Sequence, residues 1–360
     1  MKIIVGISGG VDSSVAALLL KQQGHDVEAL FMKNWHEETE DGGCMWEKDV
    51  EDAMQVCDKL EIPLNTVDLS REYWDEVFTN FLDEYKAGRT PNPDVLCNQE
   101  IKFKAFLEQA VHLGAEKLAT GHYARINEID GCYDLQKSID TNKDQTYFLC
   151  RLNQQQLSKT LFPLGELTKS EVRALAEQNG FITHDKKDST GICFIGERPF
   201  REFLGQYVPM TRGEIKTTEG QTIGEHSGVF FYTLGQRQGL GIGGVQGAPD
   251  EPWYVVDKDI ENNILLVGQG HDHPLLFSTG LVATNFHWIN EQNIPQIPFA
   301  CSGQTRYRQI AQPCMVEKVE QGKIHIRFSE PQRAVTPGQY VVLYDGATCL
   351  GSGVIESSWR

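Results

Sequence analysis

A stretch rich in glycine and serine near the N-terminus carries the residue types that hold phosphate groups. It spans Ser8–Ser14, reads SGGVDSS and follows the apolar run Lys2–Ile7. Its two glycines let the backbone turn sharply and approach an anion closely. A helix that starts near Val11 would present free N–H groups and the positive end of its dipole. The serine hydroxyls would add donors, and Asp12 could assist a magnesium ion. We therefore expect a nucleotide phosphate site at this loop.

Cys97 is the first of two cysteines, among nine, whose surroundings suggest reactivity. It follows the proline-stiffened segment Pro91–Leu96 and precedes a predicted helix. A thiol at a helix N-terminus can have a lowered pKa, and Lys102 and Lys104 add positive potential nearby. This context is compatible both with a reactive thiol and with an ordinary packed one.

Cys193 is the second cysteine of this kind. Glycines bracket it in the segment Gly191–Gly196, and Lys186, Lys187 and Arg198 lie close in the sequence. Neighbouring cations favour the thiolate, although a packed thiol in a loop of small residues is the alternative. Burial in the core is expected for Cys57, Cys132, Cys150 and Cys349.

The elements that must position these residues alternate between strand and helix as far as Phe203. Lys2–Ile7 is continuously apolar, which is typical of a strand buried on both faces. Thr168–Glu171 is a capping box that opens a helix closed by Gly180. The alternation predicts a parallel sheet with helices on both faces and the phosphate loop at its carboxyl edge. The predicted strands are Lys2–Ile7, Val27–Met32, Leu64–Leu69 and Lys117–Ile126, and the predicted helices are Val11–Gln23, Trp46–Leu60, Tyr73–Tyr85 and Ile101–Leu113.

Beyond Phe203 the pattern changes to short alternating runs separated by frequent turns, which is typical of all-β structure. We expect three domains: a nucleotide-binding α/β domain at 1–204, a small central β-rich domain at 205–270 and a C-terminal β-barrel at 271–360. The short predicted strands are Gly228–Thr233, Trp253–Asp257, Ile264–Val267, Ile324–Phe328 and Tyr340–Tyr344.

Charge and length limit the possible functions. A chain of 360 residues suits two or three domains. The formal charge of −17 counts against non-specific binding of nucleic acid. It leaves room for a local basic surface, and Ala300–Cys314 contains no acidic residue.

Other signals in the sequence are negative. No apolar run reaches the ~18 residues of a membrane span, and no signal peptide is recognisable, so we expect a cytoplasmic chain without membrane association. Nine irregularly spaced cysteines argue against a disulfide framework, and the absence of Cys-x-x-Cys argues against structural zinc. We interpret His271-Asp272-His273 as a polar loop and expect no protein-only metal site.

The phosphate loop is not of the Walker type, because Gly-x-x-x-x-Gly-Lys-Ser/Thr does not occur. It resembles the loop of the PP-loop ATP pyrophosphatases, which cleave ATP between the α- and β-phosphates and leave AMP on the substrate. Gly239–Gly244 matches the dinucleotide fingerprint literally, but Gly247, Pro249 and Pro252 follow it and leave no place for a helix. We interpret that second glycine-rich stretch as a flexible loop.

Taken together, these segments resemble the bacterial tRNA-specific 2-thiouridylase family over essentially the whole chain. Several families share the phosphate loop, whereas the cysteine segments combined with the C-terminal segments are much more specific. The matching segments are Gly6–Ser14, Phe31–Trp35, Ala87–Asp94, Cys97-Asn98, Thr120–Tyr123, Lys143–Gln145, Gly191–Gly196, Thr305–Arg308 and Pro337–Gln339.

The resemblance implies that sulfur replaces the C2 oxygen of the wobble uridine in tRNA. Adenylation would convert that oxygen into a good leaving group, and a persulfide on Cys193 would supply the sulfur. Cys97 would then attack the sulfur–sulfur bond, leaving a Cys97–Cys193 disulfide that a reductant resets. In a variant scheme Cys97 releases free sulfide instead. Asp94 resembles the acid–base group of the family, with helix capping as its alternative role.

The resemblance also implies which residues contact the substrates. Because Arg306 and Arg308 alternate with Tyr307, we expect both arginines on one face of a strand. The implied nucleotide-binding residues are Gly6, Ile7, Ser8, Gly9, Gly10, Val11, Asp12, Ser13, Met32 and Gly121. The implied target-base residues are Asn92, Pro93 and Asp94, and the implied tRNA contacts are His122, Lys143, Asp144, Gln145, Arg306, Tyr307, Arg308 and Gln339.

The implied cofactors are ATP and Mg²⁺, and the implied partners are a tRNA with a wobble uridine and a sulfur-relay protein or cysteine desulfurase. We expect a monomer. Two other hypotheses are kept. An amide-forming synthetase of the same loop class would not need two thiols, and a nucleotide-sensing binding protein would release no pyrophosphate in response to tRNA.

Overall fold

The computed structural model describes residues 1–35, 46–187, 200–208, 210–243 and 251–360. The strands are β1 (Lys2–Ile7), β2 (Asp26–Lys33), β3 (Leu64–Asp68), β4 (Lys117–Ala119), β5 (Ala124–Ile129), β6 (Cys132–Lys137), β7 (Thr160–Leu161), β8 (Gly213–Thr217), β9 (Thr222–His226), β10 (Trp253–Asp259), β11 (Ile264–Gln269), β12 (Phe277–Trp288), β13 (Phe299–Gln304), β14 (Gln312–Glu320), β15 (Lys323–Arg333), β16 (Tyr340–Asp345) and β17 (Thr348–Trp359).

The helices lie mainly in the first half of the chain. They are α1 (Val11–Gln22), α2 (Glu47–Leu60), α3 (Ser70–Tyr73), α4 (Thr79–Lys86), α5 (Pro93–Leu96), α6 (Phe106–His112), α7 (Thr146–Leu149), α8 (Gln154–Ser158), α9 (Lys169–Gln178) and α10 (Phe200–Gly205). Two π-helical segments, Trp74–Phe78 and Cys97–Ala105, join α3 to α4 and α5 to α6. Short 3₁₀ turns are found at Val229–Phe231, Pro274–Leu276 and Glu291–Asn293.

The N-terminal sheet is parallel, with the strand order β3-β2-β1-β4-β7. Its central strand β1 buries Ile3, Ile4 and Val5 completely, as its continuous apolar run predicts. The helix α1 follows directly, and α9 opens with the predicted capping box at Thr168. The predicted α/β sheet is confirmed.

One predicted helix starts earlier than the periodicity indicated. The expected helix Ile101–Leu113 belongs to a continuous run that begins at Pro93. The Asn92 side chain accepts a hydrogen bond from the Val95 N–H at 3.3 Å, and proline suits the first helical position. The prediction that Cys97 precedes its helix was therefore wrong, because the cap lies five residues upstream of it.

The predicted strand Lys117–Ile126 is two strands rather than one. The chain leaves the parallel sheet after β4, and Gly121 lies in the connection to β5. The hairpin β5–β6 joins the C-terminal sheet, where Leu135 pairs with Cys349 of β17. The N-terminal part of the chain thus extends the sheet of the C-terminal part.

The central region forms a four-stranded sheet with the order β10-β11-β8-β9. The predicted strands Trp253–Asp257 and Ile264–Val267 lie in β10 and β11. The predicted strand Gly228–Thr233 was wrong: Gly228 has a φ of +147° and starts a 3₁₀ turn instead.

The last six strands close into a barrel in the order β12-β15-β14-β13-β16-β17, since β12 also pairs with β17. Its interior is lined by residues such as Leu281, Val316, Ile326 and Leu343, all fully buried. The predicted C-terminal barrel is confirmed. Within the described ranges no helix has both the length and the apolar character needed to cross a membrane.

Candidate functional site

The phosphate loop lies where β1 ends and α1 begins. Gly9 has a φ of +69°, and a Cβ there would lie 2.2 Å from the backbone oxygen of Asp49. The Ser8 N–H donates to Ser13 Oγ at 3.1 Å, and the Ser13 hydroxyl donates to the Gly10 carbonyl at 3.1 Å. The Ser14 hydroxyl donates to the same carbonyl at 2.8 Å. The serines therefore fix the shape of the loop, and only glycine fits at position 9.

Asp12 forms an ion pair that the sequence did not indicate. Lys169 Nζ, at the start of α9, lies 2.7 Å and 2.8 Å from the two carboxylate oxygens of Asp12. The Tyr123 hydroxyl donates to one of the same oxygens at 2.7 Å. Lys169 and Tyr123 thus contact the Asp12 carboxylate, and its expected role at a magnesium ion stays a prediction. Lys169 brings a cation to the first turn of α1.

Lys186 is a second cation at the loop. Its Nζ donates to the Gly9 carbonyl at 2.9 Å and contacts the carboxylates of Asp49, at 2.9 Å, and Asp52, both on α2. Burial lowers the pKa of Lys186, but hydrogen bonds to Asp52 and Asp49 outweigh it and raise the pKa overall. The sequence placed Lys186 only among the cations around Cys193, whereas the fold brings it to the phosphate loop.

Two of the predicted nucleotide-binding residues, Met32 and Gly121, lie close to the loop. The carboxyl ends of β1 and β2 adjoin, since Ile7 pairs with Phe31, and Met32 follows on β2. Gly121 faces the first turn of α1, where a Cβ would lie 2.7 Å from backbone atoms of Asp12 and Ser13.

Asn34, just beyond β2, is 1% exposed, and neither polar atom of its amide has a hydrogen-bond partner within the described part of the chain. An unsatisfied buried amide beside a glycine-lined edge fits a polar ligand such as a nucleotide. The carboxyl edge of the parallel sheet therefore carries both the phosphate loop and a buried amide that has no hydrogen-bond partner among the described residues.

The segment that leads to Cys97 is tied to the barrel. The Gln339 amide donates to the Thr90 carbonyl at 2.8 Å and to the Pro91 carbonyl at 3.1 Å. The Asn92 amide lies 3.5 Å from Gln339 Oε1, and the Thr90 N–H donates to the Pro337 carbonyl at 3.0 Å. Two residues predicted from distant parts of the sequence, Asn92 and Gln339, are thus in contact.

Cys97 lies in the second turn of its helix and is fully buried, and Pro93 in the first turn is buried as well. It packs in a hydrophobic cluster that contains Val95, Ile101 and Tyr147. The argument for a thiol at a helix N-terminus no longer applies to it, because its N–H bonds back within the helix. Asp94, one turn earlier, is half-buried.

Cys193 and the whole of Gly191–Gly196 lie outside the described residues, as do Arg198, Cys44 and Gly244.

Of the other cysteines, Cys57, Cys150 and Cys349 are buried as predicted, whereas Cys132 is only partly buried. Burial raises the pKa of Cys57 to about 12, with Asp58 adding to the effect.

Two of the residues predicted to contact tRNA are largely enclosed. His122 is buried against the rings of Phe103 and Phe162, and its Nδ1 lies 2.8 Å from Thr120 Oγ1. Burial, and then the charge of Lys102, hold the pKa of His122 well below its usual value, so the ring is neutral. Burial also raises the pKa of Asp144, although hydrogen bonds from Thr146 and Ser138 oppose the shift.

The remaining predicted contacts lie at the junction of the barrel and α7. Gln145 accepts the Tyr123 N–H at 2.9 Å, and Lys143 is half-buried in the turn before it. The Tyr307 ring packs on Phe148 of α7, with centroids 4.3 Å apart. The junction therefore joins the Lys143–Gln145 turn to the Thr305–Arg308 segment.

The expectation that Arg306 and Arg308 share one strand face was wrong. β13 ends at Gln304, and Thr305–Arg308 forms a bend and turn in which Arg308 has a φ of +64°. Both arginines remain exposed. His271-Asp272-His273 lies in the turn before Pro274 as predicted, with His271 Nδ1 2.7 Å from Asp272.

The parallel sheet and its strand–loop–helix phosphate site define a nucleotide-binding protein of the PP-loop type. Three family models match the chain: a tRNA methyl transferase HUP domain at residues 1–197, a tRNA methyl transferase PRC-barrel domain at 201–269 and an aminomethyltransferase beta-barrel domain at 278–355. The chain belongs to the family of the tRNA-specific 2-thiouridylase MnmA, which confirms the resemblance seen in the sequence.

Curated relatives match almost the full length of the chain. MnmA of Pseudomonas syringae pv. syringae is 59% identical over 355 residues, which cover 99% of this chain and 94% of the relative. MnmA of Methylobacillus flagellatus is 56% identical over 357 residues and 99% of both chains.

Among solved structures, the U34-tRNA thiolase NcsA of Methanococcus maripaludis is 21% identical, with a TM-score of 0.35 over 57% of this chain and 63% of that one. A 4-thiouridine synthetase–RNA complex with bound ATP is 16% identical, with a TM-score of 0.35 over 58% and 50% of the two chains.

Proposed function

We propose that this chain is the enzyme that replaces the C2 oxygen of the wobble uridine in tRNA with sulfur, using ATP. The relatives that match its full length carry the name of this activity. The observation that carries the proposal for this chain is the contact of Gln339 with the Thr90–Asn92 segment. It joins the barrel, whose Arg306–Arg308 turn is exposed and basic, to the helix of Asp94 and Cys97.

In this proposal the residues 1–204 bind the nucleotide and carry the chemistry, and the barrel at 271–360 binds the tRNA. Backbone N–H groups of Gly9, Gly10 and Val11 would receive the phosphates at the start of α1. Lys169, paired with Asp12, and Lys186, paired with Asp49 and Asp52, would place ammonium donors beside the phosphates. Gly121 and Met32 would line the adenosine, and Mg²⁺ would accompany the phosphates on oxygen ligands.

The proposed reaction has two parts: activation of the C2 oxygen by ATP and its replacement by sulfur. A urea-like C2 oxygen leaves poorly. Its attack on the α-phosphorus of ATP expels pyrophosphate and forms an O-adenylated uridine, in which that oxygen is part of a good leaving group. The terminal sulfur of a Cys193 persulfide attacks C2, and AMP carries away the former C2 oxygen. The Cys97 thiolate then attacks the Cys193 sulfur, which releases 2-thiouridine and leaves a Cys97–Cys193 disulfide. A thiol reductant returns both cysteines to the reduced form.

The described residues allow Cys193 to approach the loop. Lys186 Nζ contacts the Gly9 carbonyl, and Cys193 follows seven residues after Lys186 in the sequence. Seven residues span at most about 25 Å when extended, so the thiol has the loop within its range. A sulfur-relay protein or cysteine desulfurase would load Cys193, and the need for a reductant suits a cytoplasmic enzyme.

Cys97 must become accessible for its part in this scheme. Its side chain is fully buried here, so the helix that carries it must shift when the tRNA base enters. Its location at the start of the π-helical segment Cys97–Ala105 favours such a shift, because π-helical geometry is less regular and often marks functional sites. Asp94, one turn before Cys97, would hold or deliver a proton at the base.

The test is thiolation of an unmodified tRNA by matched cysteine variants. The wild type, supplied with ATP, Mg²⁺ and a persulfide donor, should form 2-thiouridine, measured as the nucleoside by mass spectrometry. Cys97→Ser and Cys193→Ser should reduce its yield by at least ~100-fold while tRNA-dependent AMP formation continues. Cys57→Ser, a buried cysteine of α2, should retain the wild-type yield. Wild-type yields of 2-thiouridine in Cys97→Ser and Cys193→Ser would contradict the persulfide scheme. A folded wild type that binds ATP but forms no 2-thiouridine would instead favour an amide-forming synthetase.

A further inference from the structure

The segment Gly88–Asn92 connects α4 to α5 and so determines where Asp94 and Cys97 are presented. The barrel contacts this segment through Gln339, as described above. The central sheet contacts it as well. The Lys258 ammonium of β10 donates to the Gly88 carbonyl, and the Thr233 hydroxyl lies 3.3 Å from the Thr90 hydroxyl.

We propose that Lys258 is a positioning residue for the reaction, which holds the Gly88 carbonyl and thereby fixes the start of the helix that carries Asp94 and Cys97. This inference rests on the proposed function of those two residues. It assigns the central sheet a direct part in shaping the site, although that sheet contributes no predicted site residue.

The packing around Gly88 makes this contact a fixed one. Gly88 has a φ of +75°, and a Cβ there would lie 2.5 Å from Cδ1 of Ile260, two residues beyond Lys258. The Lys258 ammonium donates a second hydrogen bond to the Tyr232 carbonyl at 3.1 Å, and Tyr232 is itself buried. The ammonium thus joins two backbone carbonyls from different parts of the chain.

The charge of Lys258 depends on those carbonyls. Burial lowers the pKa of Lys258 to about 8, and the nearby Asp257 carboxylate opposes the shift. On the α4 side, Glu84 and Arg89 neutralise each other in an ion pair. On the Tyr232 side, the Arg201 guanidinium lies 4.7 Å from the Tyr232 ring. A desolvated ammonium is retained where hydrogen-bond acceptors surround it, and the two carbonyls serve as those acceptors.

The test compares Lys258→Met with Lys216→Met in the full-length protein. Lys216 lies on β8 of the same sheet and pairs with Glu214 at 2.9 Å, which makes it a matched removal of one lysine charge. Lys258→Met should speed amide hydrogen exchange across residues 88–97 by ~10-fold or more. It should slow thiolation at saturating ATP and tRNA by ~10- to 100-fold, because small misplacements of reacting groups have large effects on rate. Lys216→Met should match the wild type in both measurements.

A merely structural role would lower the fraction of folded protein without changing the rate constant of the folded enzyme or its exchange at 88–97. Unchanged exchange and an unchanged rate constant in folded Lys258→Met would overturn the proposal. If that variant does not fold, Lys258→Gln takes its place, because its side chain is shorter and neutral but still polar. Exchange and rate should change in the same direction by a smaller factor, and unchanged values of both would overturn the proposal. If the wild type forms no 2-thiouridine, the proposed function fails, while the exchange comparison still decides whether Lys258 anchors the segment.

Discussion

Lys169 Nζ lies 2.7 Å and 2.8 Å from the two carboxylate oxygens of Asp12, although 157 residues separate them. The pair lies at the first turn of α1, where phosphates would bind. Lys169→Met would leave the Asp12 charge unneutralised beside them. We expect the ATP dissociation constant to rise by ~10- to 100-fold, because hydrogen bonds to charged groups contribute about 1.5–3 kcal/mol.

Lys318→Met is the control for this prediction, since Lys318 lies on β14 and pairs with Glu320 away from the loop. ATP affinity can be measured by calorimetry on the protein without tRNA. In the double variant Asp12→Asn/Lys169→Met the loss of ATP-binding free energy should be smaller than the sum of the losses in the two single variants. Wild-type affinity in Lys169→Met would contradict a role for this cation at the phosphates.

Gly121→Ala tests the close approach of two backbone segments at the nucleotide site. The added Cβ would lie 2.7 Å from backbone atoms of Asp12 and Ser13, so the start of α1 must move. We expect ATP binding to weaken by about 100-fold or more, as backbone atoms cannot yield like a flexible side chain. Gly224→Ala is the matched control, because its Cβ would meet Ile215 at an ordinary 3.6 Å. Equal ATP affinities of the two variants would disprove the close-approach argument.

The burial of Cys97 leads to a prediction about its reactivity. A fully buried thiol should react slowly with iodoacetamide in the free protein, and faster once tRNA and a non-hydrolysable ATP analogue are bound. Mass spectrometry of the labelled peptide should show at least a ~10-fold acceleration at Cys97, consistent with local opening. Cys57 should stay slow throughout, because burial raises its pKa to about 12. A Cys97 that stays as inert as Cys57 in every complex would exclude its attack on a persulfide.

Stability at alkaline pH tests the environment of Lys258. Its folded pKa of about 8 lies below the ordinary 10.5, so the unfolded chain binds this proton more strongly between those values. The free energy of unfolding of the wild type, relative to Lys258→Met, should therefore increase as the pH rises from about 8 to about 10.5. Each pKa unit between the folded and the unfolded value of Lys258 corresponds to about 1.4 kcal/mol of this free energy. Urea unfolding at several pH values measures this, and a constant difference between the two proteins would contradict it.

The phosphate loop could be predicted because its signals are local. A buried strand, two glycines and a helix start lie within Lys2–Val11, and each is readable without the rest of the fold. The barrel and the parallel sheet could also be predicted, because the spacing of apolar residues that indicates strands and helices is a local signal. Strand boundaries were harder to predict, as the split of Lys117–Ile126 at Gly121 shows. The second half forms a hairpin with β6, and β6 pairs with β17, a strand over 200 residues away.

The contacts that complete the site could not be read from the sequence. Lys169 reaches Asp12, and Gln339 reaches Thr90, only because the sheet order and the barrel bring distant segments together. The sequence signal for Gln339 was its membership of a recognised segment, whereas nothing marked Lys169 or Lys258 among the 33 lysines and arginines. The location of Cys97 inside its helix was missed because the helix cap, Asn92, lies upstream of the apolar repeat that predicted the helix.

The central claim is that the C2 oxygen of uridine leaves on AMP while sulfur takes its place, and isotope transfer tests it most directly. The enzyme would be given a tRNA whose wobble uridine carries ¹⁸O at C2, with ATP, Mg²⁺ and a persulfide donor, for a single turnover. The account predicts one ¹⁸O atom in the AMP formed for each 2-thiouridine produced. Unlabelled AMP, or the formation of ADP instead, from a folded protein that binds ATP would contradict it.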